Sequence, residues 1–295
     1  MTTIVGAGLA GLIAGSIFPR AQLFEAGDES QSIHKAVLRF RNSAVGDATG
    51  VEFKKVNVKK GLWYENKFVQ PDIRLANWYS GKVVGKLADR SIWNLDPVER
   101  FIAPEDLISQ LVDRCSGRIS WNTKMDEIPR GAISTVPMPI MAKLMGIEHN
   151  QEFKHAPIHV ERWHIPGADV YQTIYYPDLE LNVYRASITK DLLIIEAIDT
   201  LNQNDIDVVF KSFGINAAAC SAFDKVSQRY GKISAIDEGF RRNFIYKLTQ
   251  DHGIYSLGRF ATWRNILLDD VVKDAQVIKR IMKSDNYDSV KVFSK

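Results

Sequence analysis

Gly6, Gly8 and Gly11 stand at G-x-G-x-x-G spacing, directly after a strand-like run from Thr2 to Val5 and directly before an apolar run from Leu9 to Ile17 that Pro19 closes. In that setting the glycines have a definite use. Gly6 permits a tight turn, Gly8 lets the backbone approach a pyrophosphate, and Gly11 lets a helix pack closely on the strand. The helix start at Leu9 and Ala10 then turns its positive end toward phosphate charge. A second strand, Ala21 to Phe24, ends at Glu25, where a carboxylate can accept hydrogen bonds from ribose hydroxyls. An arginine there would have indicated a 2′-phosphate. The chemistry read from these residues is binding of a dinucleotide that lacks one.

A second group of such residues lies near the C-terminus. Ser256-Leu257-Gly258-Arg259 reads as a strand ending at a Gly-Arg pair, and Asp269-Asp270-Val271 as the acidic start of a last helix. Arg259 is placed to bind the pyrophosphate of the same cofactor, and the amides of Asp269 to Val271 to bind its flavin ring or ribityl chain. Arg39 and Arg41 share one face of a strand by period-two spacing, as a pair of guanidiniums able to hold a carboxylate or phosphate. Trp163, Tyr175, Tyr176 and Tyr184 supply aromatic candidates for a substrate pocket, or equally for plain strand core. His34, just after the ribose-binding strand, is a further candidate, as is a merely packed histidine.

These residues need elements to hold them. A strand is expected over 33–41, a helix after Pro104, a short strand at Ile133 to Val136 running into Pro137, and a helix from Met138 to Met145. Strands near 158–164, 171–176, 180–187 and 192–198, with turns at Pro166-Gly167, Pro177-Asp178 and Lys190-Asp191, read as an antiparallel meander. Asn204 is the expected cap of a helix to Phe213, and another helix is expected from Phe240 to Gln250. Residues 61–104, rich in Trp, Tyr, Gly and basic side chains, read as a cap rather than a core layer. The expected class is α/β, with a discontinuous dinucleotide domain (1–60, 105–150, 253–295), a cap-like insertion (61–104) and a mainly antiparallel-sheet substrate domain (151–252).

The 295-residue chain, with 45% hydrophobic and 25% charged residues, is long enough for a large core. Its net charge of +3 selects no partner class, although Lys54-Lys55, Lys59-Lys60, Arg241-Arg242 and Lys279-Arg280 form local basic clusters. Cys115 and Cys220 lack metal-type spacing, so no metal site is expected. No run of about 18 apolar residues is present, and the first strand begins at residue 2, so the expected location is cytoplasmic and away from membranes.

Taken together, Gly6 to Gly11 with Glu25, Ile133 to Pro139, and Leu257-Gly258-Arg259 followed by Asp269-Asp270-Val271 resemble the FAD-dependent amine-oxidase and UDP-galactopyranose-mutase superfamily, in the family's order from end to end. The resemblance implies FAD as cofactor and a Rossmann-like FAD-binding domain. The family carries Gly-Gly-Arg or Gly-Gly-His after the ribose-binding carboxylate, whereas Ser32-Ile33-His34-Lys35 stands here. More loosely, the compact chain and its Leu38-Arg39-Phe40-Arg41 run are similar to bacteriophage flavoproteins of thymine hypermodification, which act on glycine attached to thymine in DNA.

The resemblance implies an oxidoreductase that takes hydride from a C–H beside an amine nitrogen onto flavin N5, with dioxygen as the electron acceptor. Its implied partner is an amine-bearing substrate, free or borne by DNA. The alternative is a non-redox flavin isomerase of the mutase kind. The sequence does not separate these substrates, and it is silent on oligomeric state.

Overall fold

The computed structural model describes residues 2–29, 38–85, 87 and 92–284. His34 lies outside the described residues. Five short strands form a wholly parallel sheet: β1 (Thr3–Val5), β2 (Gln22–Phe24), β7 (Ile119–Ser120), β8 (Ile133–Ser134) and β14 (Tyr255–Ser256), in the order β14-β8-β1-β2-β7. Three separate stretches of chain thus build one sheet. Helix α1 (Leu9–Ile17) packs on it through Leu12 and Ile13, with Ile4, Leu23 and Ile133 in the same core.

Two more helices close this layer. Gly15 of α1 has no room for a Cβ, which would fall 2.8 Å from Cys115 Sγ, the residue after α4 (Leu107–Arg114). Cys115 is buried and Cys220 half-buried. Helix α8 (Leu268–Ser284) lays Val271, Val272 and Ala275 into the core, and Lys279 Nζ donates to the Ile17 carbonyl at 2.7 Å. One of the basic clusters therefore contributes a cation to the C-terminal end of α1, where helix-dipole charge favours it.

The second sheet has nine strands. Those not yet named are β3 (Arg39–Phe40), β4 (Lys54–Tyr64), β5 (Lys67–Phe68), β6 (Val98–Ile102), β9 (His155–His164), β10 (Val170–Tyr175), β11 (Val183–Lys190), β12 (Leu192–Ala197) and β13 (Ser221–Ile233). Their order is β13-β9-β12-β11-β10-β4-β6-β3, with β5 on β4, and every pairing is antiparallel except β10 with β4. Only β10 to β12 form a meander. β9 lies beside β12 rather than β10, because the chain crosses over after β9.

The segments around the sheet also depart from expectation. Residues 61–104 do not stand apart as a cap: β4 and β6 are strands of the sheet, and α3 (Ile73–Val84) buries Leu75, Tyr79 and Val83 against Leu62 and Tyr184. Lys82 of α3 donates to the carbonyls of Tyr176, Asp178 and Val183. Basic and aromatic composition concealed an amphipathic helix. Helix α6 (Gln203–Phe213) covers the other sheet face, and its cap is Asn202, two residues earlier than expected, in a reciprocal capping box with Asp205. Helix α2 (Ala44–Thr49) packs on α1 and α8, while α5 (Met138–Leu144) and α7 (Glu238–His252) share a core with Trp263.

Candidate functional site

The glycine turn is built as the spacing required. Gly6 has φ +99°, and a Cβ there would meet Thr135 Oγ1 at 2.1 Å; a Cβ on Gly11 would lie 1.9 Å from the Gly6 carbonyl. Gly8 is different: nothing lies within 4 Å of its Cβ position, and it caps α1 without any side-chain hydrogen bond. The first-turn amides, which include Leu9 and Ala10, have no partner inside the helix. Glu25 closes one side, its Oε2 accepting from Ala7 N at 2.6 Å and its Oε1 from Gly27 N at 3.0 Å. A carboxylate has lone pairs left after two such bonds, so a ribose hydroxyl can still donate to it.

The C-terminal motif reaches the same place. Gly258 has φ +95°, and its Cβ would fall 2.9 Å from Ala10 Cβ. Arg259 follows, with Nη2 donating to Asn265 Oδ1 at 3.1 Å and the guanidinium 5.7 Å from the Phe260 ring centre. Burial holds its pKa below the usual arginine range, and the field of Tyr184 acts in the opposite direction.

Asp269, the second residue of α8, is fully buried. Its Oδ2 accepts from Arg41 N at 3.1 Å and Nε at 3.3 Å, while its Oδ1 has no hydrogen-bond partner among the described residues. Val271 is buried core one residue beyond Asp270. Arg41 also donates to Asp270 Oδ1 at 2.6 Å, and this bond, against the cost of burial, holds its pKa above the usual range. Arg41 is therefore a clamp between β3 and α8, not half of an anion-binding pair with Arg39.

Arg39 instead reaches across the second sheet. Its Nε donates to Thr189 Oγ1 at 3.0 Å, Nη1 to Thr173 Oγ1 at 2.6 Å, and Nη2 to the Ile188 carbonyl at 3.4 Å. On the same face Thr173 and Ser187 hydroxyls are 3.0 Å apart. A register shift between Val183 and Arg185 breaks the alternation of β11. Consecutive side chains, Tyr184 and Arg185, consequently reach one carboxylate: Glu196 Oε1 accepts from the Tyr184 hydroxyl at 3.3 Å and from Arg185 Nη2 at 2.6 Å, and Oε2 from Arg185 Nε at 2.5 Å. Burial, reinforced by Glu196, pushes the Tyr184 phenol well above its ordinary pKa and keeps it protonated. Burial works against the Arg185 charge, but Glu196 outweighs it and holds that pKa high. Tyr175 completes the wall, edge-on to Tyr79 at 5.6 Å.

The structure does not bring Trp163 or Tyr176 to this face. Trp163 packs edge-on against Phe210 of α6 at 5.1 Å, and the Tyr176 hydroxyl bonds Ser212 at 2.7 Å, both on the opposite side. Arg185, Glu196, Thr173, Thr189 and Thr135 were not singled out in the sequence. One signal was available: Glu196 interrupts the otherwise apolar strand Leu192–Ala197, and such charges are rarely buried unless paired. A cavity of about 860 Å³ opens on the other end of this sheet face, with Leu38, Ile102, Pro104, Thr189, Leu192 and Ile194 in its wall.

A parallel nucleotide-type sheet and a curled, mainly antiparallel second sheet together define the FAD-binding Rossmann-like fold of flavoproteins. Among solved structures, the chain is similar to reduced UDP-galactopyranose mutase (13% identity, TM-score 0.65, covering 97% of this chain and 96% of that one) and to a putrescine oxidase variant (9%, 0.58, 96% and 98%). It is also similar to p-nitrophenol 4-monooxygenase from Pseudomonas putida (12%, 0.56, 95% and 80%). No protein-family model and no curated protein matches the sequence. No helix among the described residues is long and apolar enough to cross a membrane.

Proposed function

We propose that this chain holds FAD between its glycine turn and its C-terminal motif, and that it is an FAD-dependent oxidoreductase of the amine-oxidase type. The observation that carries the reading is the meeting of Gly258 with Ala10, which joins two distant motifs at one cradle beside Glu25 and Arg259. The buried, unpartnered Asp269 Oδ1 fits a ribityl hydroxyl donor. Gly6, Gly8, Leu9, Ala10, Gly11 and Arg259 would hold the pyrophosphate, Glu25 the adenosine ribose, and Asp269 with the α8 amides near Val271 the flavin end. Bound there, FAD supplies hydride acceptance from a C–H beside nitrogen and passage of two electrons to dioxygen.

The chain's own residues set the conditions for that step. An amine gives up hydride only when neutral, and nearby positive charge disfavours its ammonium form. Arg39 supplies that charge, since Glu196 balances Arg185 and the pyrophosphate would balance Arg259. Tyr79, Tyr175 and Tyr184 form an aromatic wall that excludes water from the reacting carbon and lowers amine protonation further.

Anaerobic addition of amines to the flavin-loaded protein tests the reading. Free amino acids, polyamines and glycine-modified thymine DNA form the screen, and bleaching of the flavin followed by hydrogen peroxide on admitting air is the expected result. A flavin that no amine bleaches would sink it. The likeness to reduced UDP-galactopyranose mutase favours one second reading, a non-redox isomerase, whose mark is turnover only after prior flavin reduction.

A further inference from the structure

Several half-buried arginines of this protein sit on carboxylates: Arg41 on Asp269 and Asp270, Arg162 on Asp224, Arg185 on Glu196, Arg264 on Asp274. Arg39 does not. Its three bonds go to neutral oxygens, those of Thr189, Thr173 and Ile188, and among the described residues no carboxylate pairs with it. A guanidinium has five N–H donors, so the fork is oriented by the sheet hydroxyls without being exhausted by them. Glu196, the carboxylate whose field reaches Arg39, is held by Arg185 in a two-pronged pair.

That arrangement is costly without a ligand. Burial, and after it the repulsion of Arg185, pulls the Arg39 pKa down to about 10. An anion seated on the fork would restore the charge balance, as Glu196 does for Arg185. There is also room for the rest of such a molecule. Arg39 adjoins the 860 Å³ cavity without lining it: Thr189, which orients Arg39 Nε, and Leu38, its chain neighbour, stand in the wall, where Lys54, Arg162 and Lys190 accompany the carboxylates of Glu52, Glu105 and Asp191, and the size is typical of small-molecule sites.

We infer that the substrate of this site carries an anionic group, a carboxylate or a phosphate, which seats on Arg39, and that purely cationic polyamines are rejected. The inference rests on the flavin reading only for the word substrate; the anion seat is a property of the folded chain. Arg39 orients the ligand by its anionic end, so the amine stands off from the guanidinium while its protonated form remains disfavoured. A diamine offers the fork no anion and brings a second ammonium into the same positive field.

Calorimetric titration of the purified protein with inorganic phosphate and, separately, with benzoate is the test. One of the two should bind, and Arg39→Gln should weaken it at least tenfold while Arg39→Lys keeps part of the affinity. Phosphate alone points to a phosphoester substrate, benzoate alone to a carboxylate. Thr189→Val, which leaves the charge and removes only the Nε acceptor, should weaken binding severalfold and serves if Arg39→Gln does not fold. Binding of neither probe, equal binding by Arg39→Gln, or bleaching of the flavin by putrescine would overturn the inference. Anion binding by a protein that holds no flavin would instead overturn the flavin reading and leave the seat standing.

Discussion

Gly258 touches Ala10 so closely that a single added methyl would fall 2.9 Å from the alanine Cβ, at a backbone φ of +95°. This contact joins the last motif of the chain to the first. A side chain at that position meets two penalties, the strain of positive φ, about 1–2 kcal/mol, and the steric push on α1. Gly258→Ala should therefore weaken FAD binding about tenfold or more while leaving a folded protein, as read by flavin fluorescence during dialysis.

Arg259→Ala removes the guanidinium placed for the pyrophosphate and should yield a protein purified without its flavin. The measurement is the ratio of absorbance at flavin and protein wavelengths. A fully yellow Arg259→Ala protein would contradict the assignment.

Glu25 accepts from two backbone amides, Ala7 N and Gly27 N. Glu25→Ala strands both and removes the ribose acceptor, at about 1–3 kcal/mol for each buried group left unsatisfied. Expected outcomes are a lower melting temperature and a larger FAD dissociation constant; Glu25→Gln, which retains one acceptor oxygen, should fall between wild type and Glu25→Ala in both.

Glu196→Gln leaves Arg185 in the sheet without its carboxylate. Because the Arg185 side chain is 41% exposed and that of Glu196 only 10%, the loss is smaller than the 3–5 kcal/mol of a fully buried pair; about 2 kcal/mol is expected. Urea unfolding gives the value. Turnover should fall as well, since Arg185 loses the Oε2 acceptor that fixes it beside Tyr184.

The Arg41 clamp gives an acid signature. Burial raises the Asp270 pKa, but the Leu267 amide and Arg41 outweigh it and leave the folded value below the ordinary one. A depressed folded pKa contributes stability that is complete above the unfolded value, about 3.9, and is lost as the pH falls through the lower folded value. Arg41→Gln should accordingly lower stability at neutral pH and flatten the decline below pH about 4. Melting temperatures across that range check it.

Much of the cradle was legible because its contacts are short in sequence. Strand, glycines, helix and Glu25 lie within one βαβ-type unit, and α1 begins and ends where the spacing placed it. The β10 to β12 meander was readable from period-two alternation for the same reason. β9 was misplaced, since alternation reports a strand but not its neighbour, and α3 was missed because its buried face carries aromatic residues, Tyr79 and Trp78, that together with the basic side chains dominated the composition.

The sequence by itself determined that a strand, a glycine turn, a helix and a second strand ending at Glu25 would form at residues 3 to 25, and that a Gly-Arg pair and an acidic helix start lay near the C-terminus. Only the tertiary structure decided which side chains face that cradle. It separated Arg39 from Arg41, setting one on sheet hydroxyls and the other on Asp269 and Asp270, and turned Trp163 away. The physical reasons are strand ends and register: β3 stops at Phe40, so Arg41 leaves the face that Arg39 keeps, and a single shift at Val183 to Arg185 was enough to bring Tyr184 and Arg185 to one carboxylate.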